Sequence, residues 1–151
     1  MALDMARRVI FLDIDGVLAP IRHWDRYGDL EPACVEVLNE IVTRAGAEVV
    51  VSSTWRHGRT VAELQAMLEE EGFTGCVVDT TPTVEPGAGR GEEIAAWLAA
   101  HAVGGYVIID DHVVDGGALR GRLVVTHPGH GLRPADVPRA IEILMRPGLV
   151  V

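Results

Sequence analysis

Net positive charge is what this chain lacks: 13 Lys and Arg stand against 22 Asp and Glu, leaving −9 at neutral pH over 151 residues. That balance disfavours indiscriminate attraction to nucleic acid or to an anionic membrane, so a phosphate-bearing substrate has to be met by local positive charge or by a metal ion. Cysteine is scarce too. Cys34 and Cys76 lie far apart, each in apolar surroundings, and read as reduced core thiols rather than a disulfide framework. No hydrophobic run approaches membrane-spanning length, and residues 1–8 lack the apolar region of about 7–15 residues found in a secretion signal. Repeats, long linkers and low-complexity tails are also missing. The expectation is a cytoplasmic protein with one domain over residues 1–151, its 48% hydrophobic content sufficient for a full core.

What is present is organised around residues 8–18, Arg-Val-Ile-Phe-Leu-Asp-Ile-Asp-Gly-Val-Leu. Val9 to Leu12 are apolar on both faces, the pattern of a central strand buried between two helical layers. The run ends in Asp13, Asp15 and Gly16. If the backbone stays extended, side chains two residues apart point the same way, so the two carboxylates share one small space. Such like charges resist ionisation unless donors or a cation sit between them, and a hard divalent ion, Mg²⁺ above all, resolves the conflict. An Asp-x-Asp-Gly by itself also suits an ordinary turn.

The remaining chain repeats the theme of a buried strand ending in polar residues. Ala19 to Leu30, with Arg22, His23, Trp24, Arg26 and Tyr27, has no period and reads as a loop or small flap in which Trp24 either covers an apolar patch or meets substrate. Pro32 starts a helix that Gly46 stops, and residues 47–51 form a strand ending in Ser52-Ser53-Thr54-Trp55-Arg56. Thr60 and Glu63 form a capping box, and Val61, Leu64, Met67 and Leu68 make the apolar stripe of the helix that follows. A third strand is expected over 75–79, then a loop to Gly89. Arg90 opens a helix with Ile94, Trp97, Leu98 and His101 on one face. A fourth strand over 105–109 runs into Asp110-Asp111-His112, a fifth covers 123–126, and a last helix spans 135–145 before Pro147-Gly148. Strands alternating with helices indicate an open, mostly parallel sheet covered on both faces, whose ligand crevice lies at the carboxyl ends of the strands.

Those ends carry the residues for phosphoryl transfer through a carboxylate nucleophile. Asp13 is placed as nucleophile, and Asp15 as the group that protonates the leaving alcohol and then deprotonates water. Ser52 is a donor to a phosphoryl oxygen, with Ser53 able to take its place, and Arg90 balances charge in the transition state. Gly16, Ser53 and Arg56 are further candidates for substrate contact. Trp55 and Arg56 equally suit a packing tryptophan beside a surface arginine. The metal would be held by Asp13, by the backbone carbonyl of Asp15, and by one of Asp110 and Asp111. His112, His127 and His130 read as loop residues.

In this order the segments Phe11–Val17, Val49–Ser52, Arg90 before a helix, and Val107–Asp111 resemble the four motifs of the haloacid dehalogenase (HAD) superfamily of phosphatases. More narrowly, Val51–Arg56, the segment from Arg90 to Trp97 and the late Gly131-Leu132 are similar to the small HAD-type domains associated with bacterial RNA-repair proteins. The resemblance implies a three-layer α/β Rossmann-like core with strand order 5-4-1-2-3, an aspartyl-phosphate intermediate and Mg²⁺ dependence. It also favours Asp111 over Asp110 as metal ligand. Neither Ala19 to Leu30 nor the loop from Thr80 to Gly89 is long enough for a cap domain, which leaves an open crevice. The implied partner is a phosphorylated small molecule, such as a nucleotide, or a polynucleotide end. The alternative is a non-catalytic module that keeps the fold and binds a phospho-ligand or a protein partner.

Overall fold

The computed structural model describes residues 7–26, 28–85, 87–114, 119 and 121–147. The readings of the first residues, of Tyr27 and Pro86 in their loops and of Gly148 fall outside these. The central strand is β1 (Arg8–Leu12), flanked by β2 (Ala47–Val51) and β4 (Gly105–Asp110), with β3 (Val77–Thr80) and β5 (Leu123–Val125) at the edges. All four pairings are parallel, and the order 3-2-1-4-5 is the expected one read from the opposite edge.

The alternation of side chains along β1 explains why the strand is apolar throughout. Ile10 and Leu12 join a cluster with Val49, Val51, Val107 and Ile109 under α1 (Pro32–Ala45), α2 (Val61–Glu70) and α4 (Val137–Met145). Val9 and Phe11 point the other way, to Val50, Ile108 and the Ile94 and Trp97 side chains of α3 (Arg90–Ala100). A strand with two buried faces has no room for the polar alternation of a half-exposed one. Phe11 meets Trp97 edge-on at 5.4 Å between ring centroids, the geometry that aromatic quadrupoles favour.

Local signals set most helix limits. Pro32 occupies the first turn of α1, and Gly46 ends it in the left-handed region at φ 64°, its N–H bonded to Val42 O. Thr60 and Glu63 form the reciprocal capping box of α2. Four expectations need adjustment. Met67 is only half-buried, because the contact stripe of α2 narrows to Leu64 and Leu68. His101 lies just past the end of α3 and stacks on Trp97 at 3.9 Å. The last helix begins at Val137 after a 3₁₀ turn, since Pro138 has no N–H and fits only the first turn. Cys76 is exposed, whereas Cys34 is buried and burial, then Glu31, pushes its thiol up to about 11; both are free.

Among the described residues, neither the β1–α1 connection nor the β3–α3 connection contains a helix or a named strand; the first holds only isolated bridges, Asp15 with Ala19 and His23 with Arg26. Among the described residues, no cap stands over the sheet's carboxyl edge. No described helix is long and apolar enough to cross a membrane.

Candidate active site

Strand register alone assembles the centre. Leu12 pairs with Val51 on one side and Ile109 on the other, so the next residue of each strand, Asp13, Ser52 and Asp110, falls in one row. The ladder continues into that row through Asp13 N–H to Ile109 O at 3.0 Å and Ser52 N–H to Leu12 O at 2.9 Å. All three residues are buried.

Arg90, the first residue of α3, reaches over this row from the other layer. Its Nη1 lies 2.6 Å from Asp110 Oδ2 and 3.2 Å from Asp13 Oδ2. Burial works against the guanidinium charge, but the two carboxylates outweigh it and raise its pKa further. The chain has no lysine, so the cation here is one that stays charged at any working pH.

Asp13 itself is pushed from 3.8 up to about 7, mainly by burial and further by the neighbouring Asp110 and Asp111, with Arg90 opposing. Asp111, far from Asp13 in the chain, therefore lies near enough to act on its carboxyl group. The shift has a consequence for the metal-free protein. An unfolded Asp13 loses its proton near pH 4 while the folded one keeps it until about 7, so unfolding releases a proton across that interval. Stability should fall by on the order of a few kcal/mol as pH rises from about 4 to about 7, then level off. Denaturant midpoints in chelator would show this slope, and Asp13→Asn should flatten it.

The two neighbouring aspartates are engaged differently. Asp110 is wholly buried with both oxygens engaged: Oδ2 accepts from Arg90 and Oδ1 from the His112 N–H at 2.9 Å. Asp111 keeps a buried Oδ1 that accepts no hydrogen bond, although His112 Nδ1 stands 2.9 Å away in poor alignment. Gly16 is what lets Asp111 approach. Its φ of 79° suits glycine, and a Cβ there would collide with the Asp111 carboxylate. Thr126, which follows β5, donates from Oγ1 to Gly16 O at 2.7 Å and holds that turn in place. Asp110, Asp111 and His112 also bring ligand atoms within 4.8 Å of one another.

Ser52 and Ser53 part company. Ser52 Oγ is buried without any partner at the carboxyl edge, whereas Ser53 Oγ accepts the Trp55 N–H at 3.2 Å and caps the 3₁₀ turn Thr54–Arg56. Arg56, a candidate for substrate contact, is turned inward. It donates to Ser52 O, Ser53 O and Thr81 O and pairs with the buried Glu93 of α3 at 2.8 Å. Its contacts tie the serine loop to β3 and to the helix bearing Arg90. Asp15 is half-exposed, and its Oδ1 accepts the Trp55 indole N–H at 3.0 Å. Trp24 is 98% exposed and covers nothing. A groove of about 610 Å³ opens beside Arg90, lined by Thr54, His57, Gly89, His112 and Val113 among others.

Sequence reading passed over Glu93 and Thr126. Glu93 had a signal: it sits four residues before Trp97 on the inward face of α3, where a charge demands a partner. Thr126 had none, since its partner is 110 residues away.

The fold and this edge are those of a small Rossmann-like HAD core. The chain belongs to the family described as the HAD domain in Swiss Army Knife RNA repair proteins, whose model matches residues 9–137. Neither a curated protein nor a solved structure matches it.

Proposed function

We propose that the protein is a Mg²⁺-dependent phosphomonoester hydrolase working through an aspartyl-phosphate on Asp13, with nucleotides or polynucleotide ends as substrates. The observation that carries this reading is the meeting of Asp13, Asp111, Arg90 and the unpartnered Ser52 hydroxyl at one buried strand end. A binding module has no need of a buried nucleophile two residues before a second, half-exposed carboxylate.

The donor set fits a hard cation: carboxylates from Asp13 and Asp111 and the backbone carbonyl of Asp15, with an orphaned Asp111 oxygen and a turn that glycine alone keeps clear. When bound, Mg²⁺ would shield an anionic phosphate from an anionic nucleophile. The chain's own groups do the rest. A carboxylate oxygen of Asp13 attacks phosphorus, the bond from phosphorus to the ester oxygen breaks, and Asp15 gives its proton to that oxygen. Water then attacks the aspartyl-phosphate, returning a proton to Asp15 and releasing orthophosphate. Ser52 Oγ donates to a phosphoryl oxygen and Arg90 offsets the developing negative charge.

Substrate class rests on the family's description, on the uncapped edge and on a groove large enough for a nucleotide. A net charge of −9 repels flanking phosphates, which favours recognition of an end over that of a backbone. The free thiols support a cytoplasmic setting. The test is orthophosphate release by the whole chain from 3′- and 5′-phosphorylated oligonucleotides, mononucleotides and an aryl phosphate, with Mg²⁺ and with chelator. Metal-dependent release, fastest from oligonucleotide ends, is expected. No release from any of them with Mg²⁺ present would refute the reading.

A further inference from the structure

We propose that Trp55 is the positioning residue of the acid/base carboxylate, holding Asp15 through its indole N–H so that a single oxygen faces the leaving group. The proposal rests on the phosphatase reading above and adds to it the residue that decides which esters can be cleaved.

The bond is specific in chemistry as well as length. Indole nitrogen is a donor that cannot accept, so an Asp15 Oδ1 at 3.0 Å receives the N–H and is barred from presenting its own proton in that direction. The proton bound for the leaving oxygen must then sit on Oδ2. Asp15 is half-exposed, and a carboxylate without such a tether would sample several orientations.

Trp55 is itself held firmly enough to act as a tether. Its ring packs against the main core cluster, and its backbone N–H is bonded to Ser53 Oγ. The Arg59 guanidinium lies 5.4 Å from the ring centroid and donates to Trp55 O at 3.0 Å. The loops after β1 and β2 are thereby joined across 40 residues of sequence by one side-chain bond. Placing a proton donor matters only where the departing oxygen needs the proton. A nitrophenolate leaves without help, whereas a ribose or other alkyl oxygen does not.

The experiment measures kcat/KM, which reports phosphoryl transfer to Asp13, for esters running from dinitrophenyl phosphate to a simple alkyl phosphate. Wild type, Trp55→Phe and the double variant Trp55→Phe with Asp15→Asn are compared. Phenylalanine keeps a packed ring and removes the N–H. The alkyl ester should slow by about 10- to 100-fold while the dinitrophenyl ester changes by less than about threefold. On the Asp15→Asn background the same substitution should add nothing, since it acts only through that carboxylate. Equal loss across all esters, no loss, or a full further loss on the Asp15→Asn background would overturn the proposal while the phosphatase reading stands. An inactive wild type would refute both. Should Trp55→Phe fold poorly, the same ester series with Trp55→Tyr, which keeps a ring and a displaced donor, should give an intermediate alkyl-selective loss; a uniform one would again overturn the proposal.

Discussion

Asp13→Asn should abolish phosphate release, by at least about 10³-fold, while leaving the protein as stable as the wild type or more so. The amide is nearly isosteric, but its remaining oxygen carries no negative charge and is no nucleophile toward phosphorus. The effect on stability has the opposite sign because the wild-type carboxylate is buried beside Asp110 and Asp111 and gives up its proton only near pH 7. A neutral side chain there relieves repulsion at the cost of one ion pair with Arg90 at 3.2 Å. Kinetics on an aryl phosphate together with a melting curve check both halves. Activity within tenfold of wild type would remove Asp13 from the chemistry.

Arg56→Met should have the largest effect on stability, about 3–5 kcal/mol, through the loss of a buried ion pair. The Arg56–Glu93 contact spans 2.8 Å with side chains 6% and 10% exposed, so losing the arginine leaves a buried carboxylate uncompensated. Three carbonyls, of Ser52, Ser53 and Thr81, lose their donor as well. The expected fall in Tm is about 10 °C. Exchanging Glu93 for leucine in the same protein should recover part of it, because two apolar partners leave no orphaned charge. A Tm within about 2 °C of wild type would show that the clasp contributes little.

These two cases mark how far sequence reading reached. Asp13 was legible because period-two geometry and a run buried on both faces locate a strand end, and a strand end in an open parallel sheet locates the crevice. The glycine stop at residue 46 and the capping box at Thr60 were legible for the same reason: their cause lies within a few residues. Arg56 was not. Whether an arginine after a strand turns outward to a ligand or inward to three carbonyls depends on Glu93 and Thr81, which only the folded chain brings near. The exposure of Cys76 and the bond from Trp55 to Asp15 likewise depend on neighbours distant in sequence. The split between Asp110, spent on Arg90, and Asp111, spare beside Gly16, follows from which strand side each faces at the sheet's end.

The most direct test of the account is the melting temperature of Asp111→Asn beside wild type, each with chelator and with saturating Mg²⁺. Wild type should gain about 5 °C or more from the metal. The variant should melt at or above the metal-free wild type and gain nothing, since it has lost both the repulsion and the ligand. An Mg²⁺-induced rise as large in Asp111→Asn as in wild type would contradict the claim that Asp13 and Asp111 meet in order to share a cation.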